Sequence, residues 1–145
     1  MLLRHRSQKT DALKNVPLFA ALSQRHLEAV ARAADEVSVK AGTVLARQDS
    51  LGREFLLILH GGARVERDGK ELARLGEGDV VGEMSLIDGR PRSATVVAEG
   101  ATALLVIERR SFRALLDRVP GLQRKILTTL CERLRAADEI LASRN

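Results

Sequence analysis

The sequence predicts an α+β fold: helices, then a run of short antiparallel strands, then helices again. Three observations carry this. Apolar residues recur with a helical period before residue 36 and again after residue 110. Between those limits they alternate or run in blocks of strand length, and turn signals containing glycine separate the blocks. The chain has 145 residues, 45% hydrophobic and 30% charged, which is enough to fill one core and excludes wholesale disorder.

Residues 1–10 are polar and basic, through Arg4, His5, Arg6 and Lys9, and read as a frayed lead-in. Thr10 or Asp11 can cap a short helix through Val16, which Pro17 breaks. Ser23 can cap a second helix. Leu27, Val30, Ala31 and Ala34 fall on one face of it, at i, i+3, i+4 and i+7. The pattern changes at Glu36: Val37 and Val39 alternate with polar neighbours and Gly42 turns the chain. Strand-like runs follow at 43–47, 54–60, 63–67, 71–75, 93–98 and 103–107. Between them lie Gly52, Gly61-Gly62, Asp68-Gly69, Gly76 with Gly78-Asp79, Asp88-Gly89 and Glu99-Gly100. Asp68-Gly69 is the strongest hairpin signal, because both positions of a tight type I′ turn need a positive φ. Strands this short and this close make a barrel, a sandwich or a roll. Ser111 is expected to cap a helix over 112–119, and Pro120 stands where a new helix starts. From Leu122 the positions Ile126, Leu127, Leu130, Leu134, Ala137 and Leu141 form one stripe on a helix of roughly 20 residues, about 30 Å long.

Composition narrows the function. The only aromatics are Phe19, Phe55 and Phe112, so the stacking platforms of single-stranded nucleic-acid binders are missing. Cys131 is the single cysteine, which rules out an internal disulfide and suits a reducing, cytoplasmic setting. On a helix it reads as a small packing residue rather than a sensor or nucleophile. No apolar run approaches the ~20 residues of a membrane span, and the basic start argues against a secretory signal. The net charge of +5 suits anionic partners without choosing among them. His5, His26 and His60 lack metal-ligand spacing. No Ser–His–Asp or Cys–His set stands out, so catalysis and a metal are not expected.

The informative stretch runs from Gly82 to Val96, Gly-Glu-Met-Ser-Leu-Ile-Asp-Gly-Arg-Pro-Arg-Ser-Ala-Thr-Val. Gly82 allows close backbone approach. Met84 to Asp88 can form one helical turn whose free N–H groups suit an anion. Gly89 and Pro91 close a tight loop. Arg92 brings an always-charged planar fork suited to phosphate. Glu83 only accepts, and suits hydroxyls such as those of a ribose. Taken singly, Arg92 and Glu83 also fit a structural ion pair and the glycines fit ordinary turns. Together they suit a sugar phosphate.

This stretch resembles the phosphate-binding cassette of the cyclic nucleotide-binding domain, in its Gly-Glu-x-x-Leu followed by Arg-Ser-Ala-Thr-Val. Val16-Pro17-Leu18-Phe19 through Ser23 resembles that family's N-terminal helices, and Gly78 to Glu83 its approach to the cassette. The family includes cyclic-AMP-dependent kinase regulatory subunits, the bacterial catabolite activator and cyclic-nucleotide-gated channels. The resemblance implies an antiparallel β-roll, jelly-roll-like (a double-stranded β-helix), between N-terminal helices and a long C-terminal lid helix. It implies one domain over 1–145: helices at 10–35, roll at 36–108 with the cassette at 82–96, and helices at 111–143. It implies that Arg92 pairs with the cyclic phosphate and that Glu83 accepts from the ribose 2′-hydroxyl. Gly82, Met84, Ser85 and Ser93 would offer backbone N–H groups, and Val65, Leu72 and Val81 an apolar wall. Arg133, with Leu134 and Ala137 nearby, would close over the base.

One position departs from the pattern. Relatives often carry an acid after the glycine matching Gly52, where it steadies the phosphate arginine, whereas this chain has Arg53 and then Glu54. The expected function is a non-catalytic, bacterial-type cytoplasmic sensor. Cyclic AMP is its first ligand, cyclic GMP the alternative through Ser93, and no metal is involved. The alternative reading is a protein-interaction module with a vestigial pocket. An unidentified effector protein is the expected partner. No helix-turn-helix is visible before Asn145, so specific DNA binding is not expected, nor is membrane binding. Met1 favours a stand-alone chain, and the last helix makes it a monomer or a homodimer.

Overall fold

The computed structural model describes residues 9–16, 18–81 and 89–143. Residues 9–14 are helical, and the Lys9 ammonium donates to the Ala34 carbonyl at 2.6 Å. Leu13, Val16, Leu18 and Phe19 turn inward. Helix α1 spans Gln24–Ala33; the Ser23 hydroxyl accepts from the His26 N–H at 3.3 Å, the N-cap its sequence predicts. Leu27, Val30 and Ala31 are its buried face.

Eight strands follow among the described residues: β1 Asp35–Val39, β2 Val44–Ala46, β3 Glu54–His60, β4 Ala63–Arg67, β5 Lys70–Leu75, β6 Val80–Val81, β7 Thr95–Ala98 and β8 Thr102–Glu108. They form two four-stranded sheets, ordered β1-β8-β3-β6 and β2-β7-β4-β5, with every pairing antiparallel. The antiparallel roll is therefore present. Two strands match the sequence reading residue for residue, at 54–60 and 63–67. β6 escapes it, because two residues carry no period. β7 starts at Thr95 rather than at Ser93. The Asp68-Gly69 hairpin forms as predicted, with φ of 53° and 79° and Arg67 paired to Lys70.

The β3 segment reads as an unbroken apolar run because both of its faces are covered. Phe55 and Leu57 join the cluster that also holds Leu105, Ile107 and the helices. Leu56 and Ile58 point the other way, into the roll, with Ala63, Val81, Val96 and Leu104. The first sheet thus separates a helix-side core from a roll interior. All three phenylalanines lie on the helix side. Phe55 stacks on Phe112 with ring centroids 4.7 Å apart and meets Phe19 edge-on at 6.3 Å.

Helix α2 spans Arg109–Arg118 and begins directly where β8 ends. Glu108 is its N-cap, with no side-chain capping bond. Ser111 therefore is not the cap; it sits inside the first turn. The Arg109 N–H finds the Arg53 carbonyl at 2.8 Å instead, so the strand junction does the work of a capping side chain. Helix α3 spans Leu122–Ser143. Pro120 stands two residues ahead of it, in a turn with Gly121 at φ +84°. Leu122 and Ile126 are buried, whereas every residue from Cys131 to Ser143 is exposed. The single predicted stripe is therefore split between a packed start and an open end. No helix among the described residues is long and apolar enough to cross a membrane.

Candidate functional site

Arg92 is the best-defined part of the site. Its backbone is clamped against the loop before β3: its N–H donates to Ser50 O at 2.7 Å, and its carbonyl accepts from Asp49 N at 2.8 Å. An isolated bridge between Leu51 and Pro91 extends this pairing. The residue is only 9% exposed. Its Nη2 donates to the Glu54 carbonyl oxygen at 3.2 Å. A guanidinium held so far from water needs acceptors or an anion around it. The acid expected after Gly52 is absent, and Glu54 supplies a backbone carbonyl at this place. Arg53 turns its own carbonyl to Arg109. Two successive carbonyls, of Arg53 just before β3 and of Glu54 at its start, thus hold the first residue of α2 and the phosphate-arginine candidate.

Gly82, Glu83, Met84 and Ser85, with the helical turn expected through Asp88, lie outside the described residues. Their entrance and exit are defined. Val81, at 4% exposed, anchors the entrance in the roll interior. Gly89, at φ +71°, makes the exit, in the left-handed region that suits glycine. Ser93 is exposed, and its carbonyl accepts from Arg67 Nε at 2.9 Å.

Of the predicted apolar wall, Val65 packs half-buried against the cluster that contains Val81. Leu72 does not join it. Val65 pairs with Ala73 and Glu66 with Glu71, which leaves Leu72 as the extra residue of a β-bulge. Its side chain is 52% exposed. Arg133 borders a cavity of about 380 Å³ between α3 and the turn leading into β6, lined also by Leu18, Gly78, Asp79 and Val80. Leu134 is not part of that lining and is 65% exposed.

A model of the cyclic nucleotide-binding domain matches residues 36–119. The chain belongs to this family. It is similar to a cAMP-dependent protein kinase regulatory subunit of Schizosaccharomyces pombe, 33% identical over 122 residues, covering 83% of this chain and 30% of that protein. It is similar to the Cyclic AMP receptor protein of Thermus thermophilus, 34% identical over 131 residues, 87% of this chain and 61% of that one. The regulatory domain of Toxoplasma gondii PKA, solved with cAMP, superposes with a TM-score of 0.79 at 26% identity, over 90% of this chain and 51% of that chain. The chain thus spans less than two thirds of each.

Within this cyclic nucleotide-binding fold, sequence reasoning missed Arg109. A Cβ built on Gly89 would lie 3.7 Å from Arg109 Nη2, so the guanidinium sits beside the exit of the cassette. Its Nε is buried with no hydrogen-bond partner among the described residues. Nothing in the local sequence marks it: an arginine opening a helix reads as a solvated charge. Only the antiparallel pairing of β3 with β8 brings residues 53–54 and 108–109 together.

Proposed function

We propose that this chain binds a cyclic nucleotide monophosphate, cyclic AMP before cyclic GMP, without catalysing a reaction, and that α3 transmits the binding. The carrying observation is the buried Arg92 guanidinium, pinned to the Glu54 carbonyl at the exit of the Gly82–Gly89 segment. Arg92 takes the exocyclic phosphate oxygens, and Glu83 accepts from the ribose 2′-hydroxyl. Gly82, Met84, Ser85 and Ser93 provide N–H donors. Val65 and Val81 form the wall, and Leu72 reaches it from its bulge. Arg133, on the helix that borders the strand entering the cassette, reaches the base, with Leu134 beside it. The names of the kinase regulatory subunit and of the receptor protein support cyclic AMP as the ligand. The ordering of α3 supports it as the lever: it is anchored at Leu122 and Ile126 and open beyond Leu130. Transmission requires that nucleotide bind one α3 position more tightly than another, since equal affinity shifts no population.

Titration calorimetry on protein stripped of ligand by unfolding and refolding tests this. Cyclic AMP binds at micromolar affinity or tighter and outranks cyclic GMP, CMP and UMP. Arg92→Leu weakens it at least about tenfold, as expected when a hydrogen-bonded charge pair worth roughly 1.5–3 kcal/mol is removed. Unchanged binding by Arg92→Leu would sink the assignment of the phosphate site. No heat with any of the four nucleotides would leave an interaction module.

A further inference from the structure

The segment that carries Arg92 into β7 is tied along both of its edges. On one side runs the loop between β2 and β3. The register that sets Ala46 opposite Val96 continues to the bridge between Leu51 and Pro91, so residues 47–51 lie beside residues 91–95. There Asp49 N–H and Ser50 O bond the backbone of Arg92, at 2.8 and 2.7 Å. On the other side runs the end of β4, where Glu66 pairs with Thr95 and Arg67 Nε donates to the Ser93 carbonyl. Three stretches of chain thus lie side by side, with the Arg92 segment in the middle.

One residue is bonded to both of the others. Gln48 donates its backbone N–H to the Thr95 hydroxyl at 2.9 Å. Its carboxamide meets Asp68, in the hairpin turn after β4: Nε2 donates to the Asp68 carboxylate at 2.9 Å, and Oε1 accepts from the Asp68 N–H at 3.0 Å. Gln48 is also a central residue of a tight turn, in which the Ser50 N–H bonds the Arg47 carbonyl at 3.2 Å. The other central residue, Asp49, has φ +69°, a left-handed backbone that favours glycine or asparagine at this place. Such a conformation persists where its surroundings over-determine it. Asp49 and Asp68 are the two non-glycine residues with positive φ among the described residues, and Gln48 adjoins the first and bonds the second.

We propose that Gln48 is a positioning residue for Arg92. By hooking Asp68 it fixes the 47–50 turn, and with it the Asp49 and Ser50 groups that clamp Arg92, before any ligand arrives. Gln48 itself touches no ligand. An arginine already in place loses less freedom when a phosphate binds, which raises affinity; this consequence rests on the nucleotide reading.

Two measurements on the full 145-residue chain test it. The first, amide hydrogen exchange, needs no nucleotide. Gln48→Leu keeps the bulk and loses both carboxamide bonds. It raises exchange at the Asp49 and Arg92 N–H groups about fivefold or more, while the Ile58 N–H, bonded to the Asp79 carbonyl in β3, keeps its wild-type rate. The second is calorimetric titration with cyclic AMP. Gln48→Leu weakens binding about fivefold. Gln48→Glu weakens it likewise, because two carboxylates then meet. Adding Asp68→Asn restores it, because amide and carboxylate have exchanged sides and asparagine also accepts a positive φ. Unchanged exchange at Arg92 and Asp49 overturns the proposal, as does a rise shared equally by Ile58. It is overturned too if cyclic AMP binds Gln48→Leu as it binds the wild type, or if the double variant binds no better than Gln48→Glu. A wild type that takes up no cyclic AMP condemns the nucleotide reading alone, and the exchange rates then still decide whether Gln48 holds Arg92.

Discussion

The two faces of the first sheet are built differently. Toward the helices, β3 and β8 present Phe55, Leu57, Leu105 and Ile107, and the three phenylalanines meet there. Toward the roll interior they present Leu56, Ile58 and Leu104 among Ala46, Ala63, Val81 and Val96. The helix side is a dense aromatic anchor; the interior is light and aliphatic. Large rings on the helix side bury much surface per residue and lock α1 and α2 onto the sheet. Small aliphatic residues inside fill a narrow space, and Val65 and Val81 among them continue to the proposed nucleotide wall. Stability is thus concentrated on one face and the candidate site on the other.

Phe55→Ala is the most severe way to break this division. It removes a fully buried ring that touches two others, at a cost of about 3–5 kcal/mol in urea denaturation. A loss below about 1 kcal/mol would show that the aromatic face is not the anchor. Ile58→Val asks the same of the interior, where Ile58 is fully buried. The expected cost there is smaller, about 0.5–1.5 kcal/mol, by the same measurement. Arg109→Met probes the point where the two faces share a strand junction. Its Nε is buried without a partner among the described residues, so an apolar side chain of similar length keeps the unfolding free energy within about 1 kcal/mol of wild type or raises it. A larger loss would mean that the guanidinium holds the cassette exit in the nucleotide-free protein. Leu72→Ser has the smallest effect on stability, under about 0.5 kcal/mol, because the bulge already exposes the side chain. Its readout is cyclic nucleotide affinity, which falls several-fold if Leu72 reaches the wall and stays at the wild-type value if it does not.

Most of the elements follow from short-range features of the chain. Ser23 caps because its hydroxyl reaches an N–H three residues on. Asp68-Gly69 turns because two adjacent residues accept positive φ. The β3 and β4 runs stand out because strand length and turn glycines bracket them. Arg92 and the Gly82–Val96 stretch stand out as a candidate site because residue types that suit a sugar phosphate lie close together in the chain. The remaining features depend on residues far apart in the chain. Ser111 lost the cap of α2 because β8 runs without a gap into the helix, and Arg53, brought there by β3, supplies the acceptor. Support for Arg92 came from the Glu54 carbonyl, a backbone group that no side-chain pattern can announce. Leu72 became the exposed residue of a bulge through the pairing of β5 with β4. Arg109 came to the cassette exit through the register of β3 on β8. The apolar stripe of α3 was written in the sequence as one row, but periodicity records only that a side chain prefers to leave water. Which neighbour covers it is a matter of three-dimensional reach: the roll extends to Leu122, Ile126 and Leu130, and the rest of the row stands beyond it.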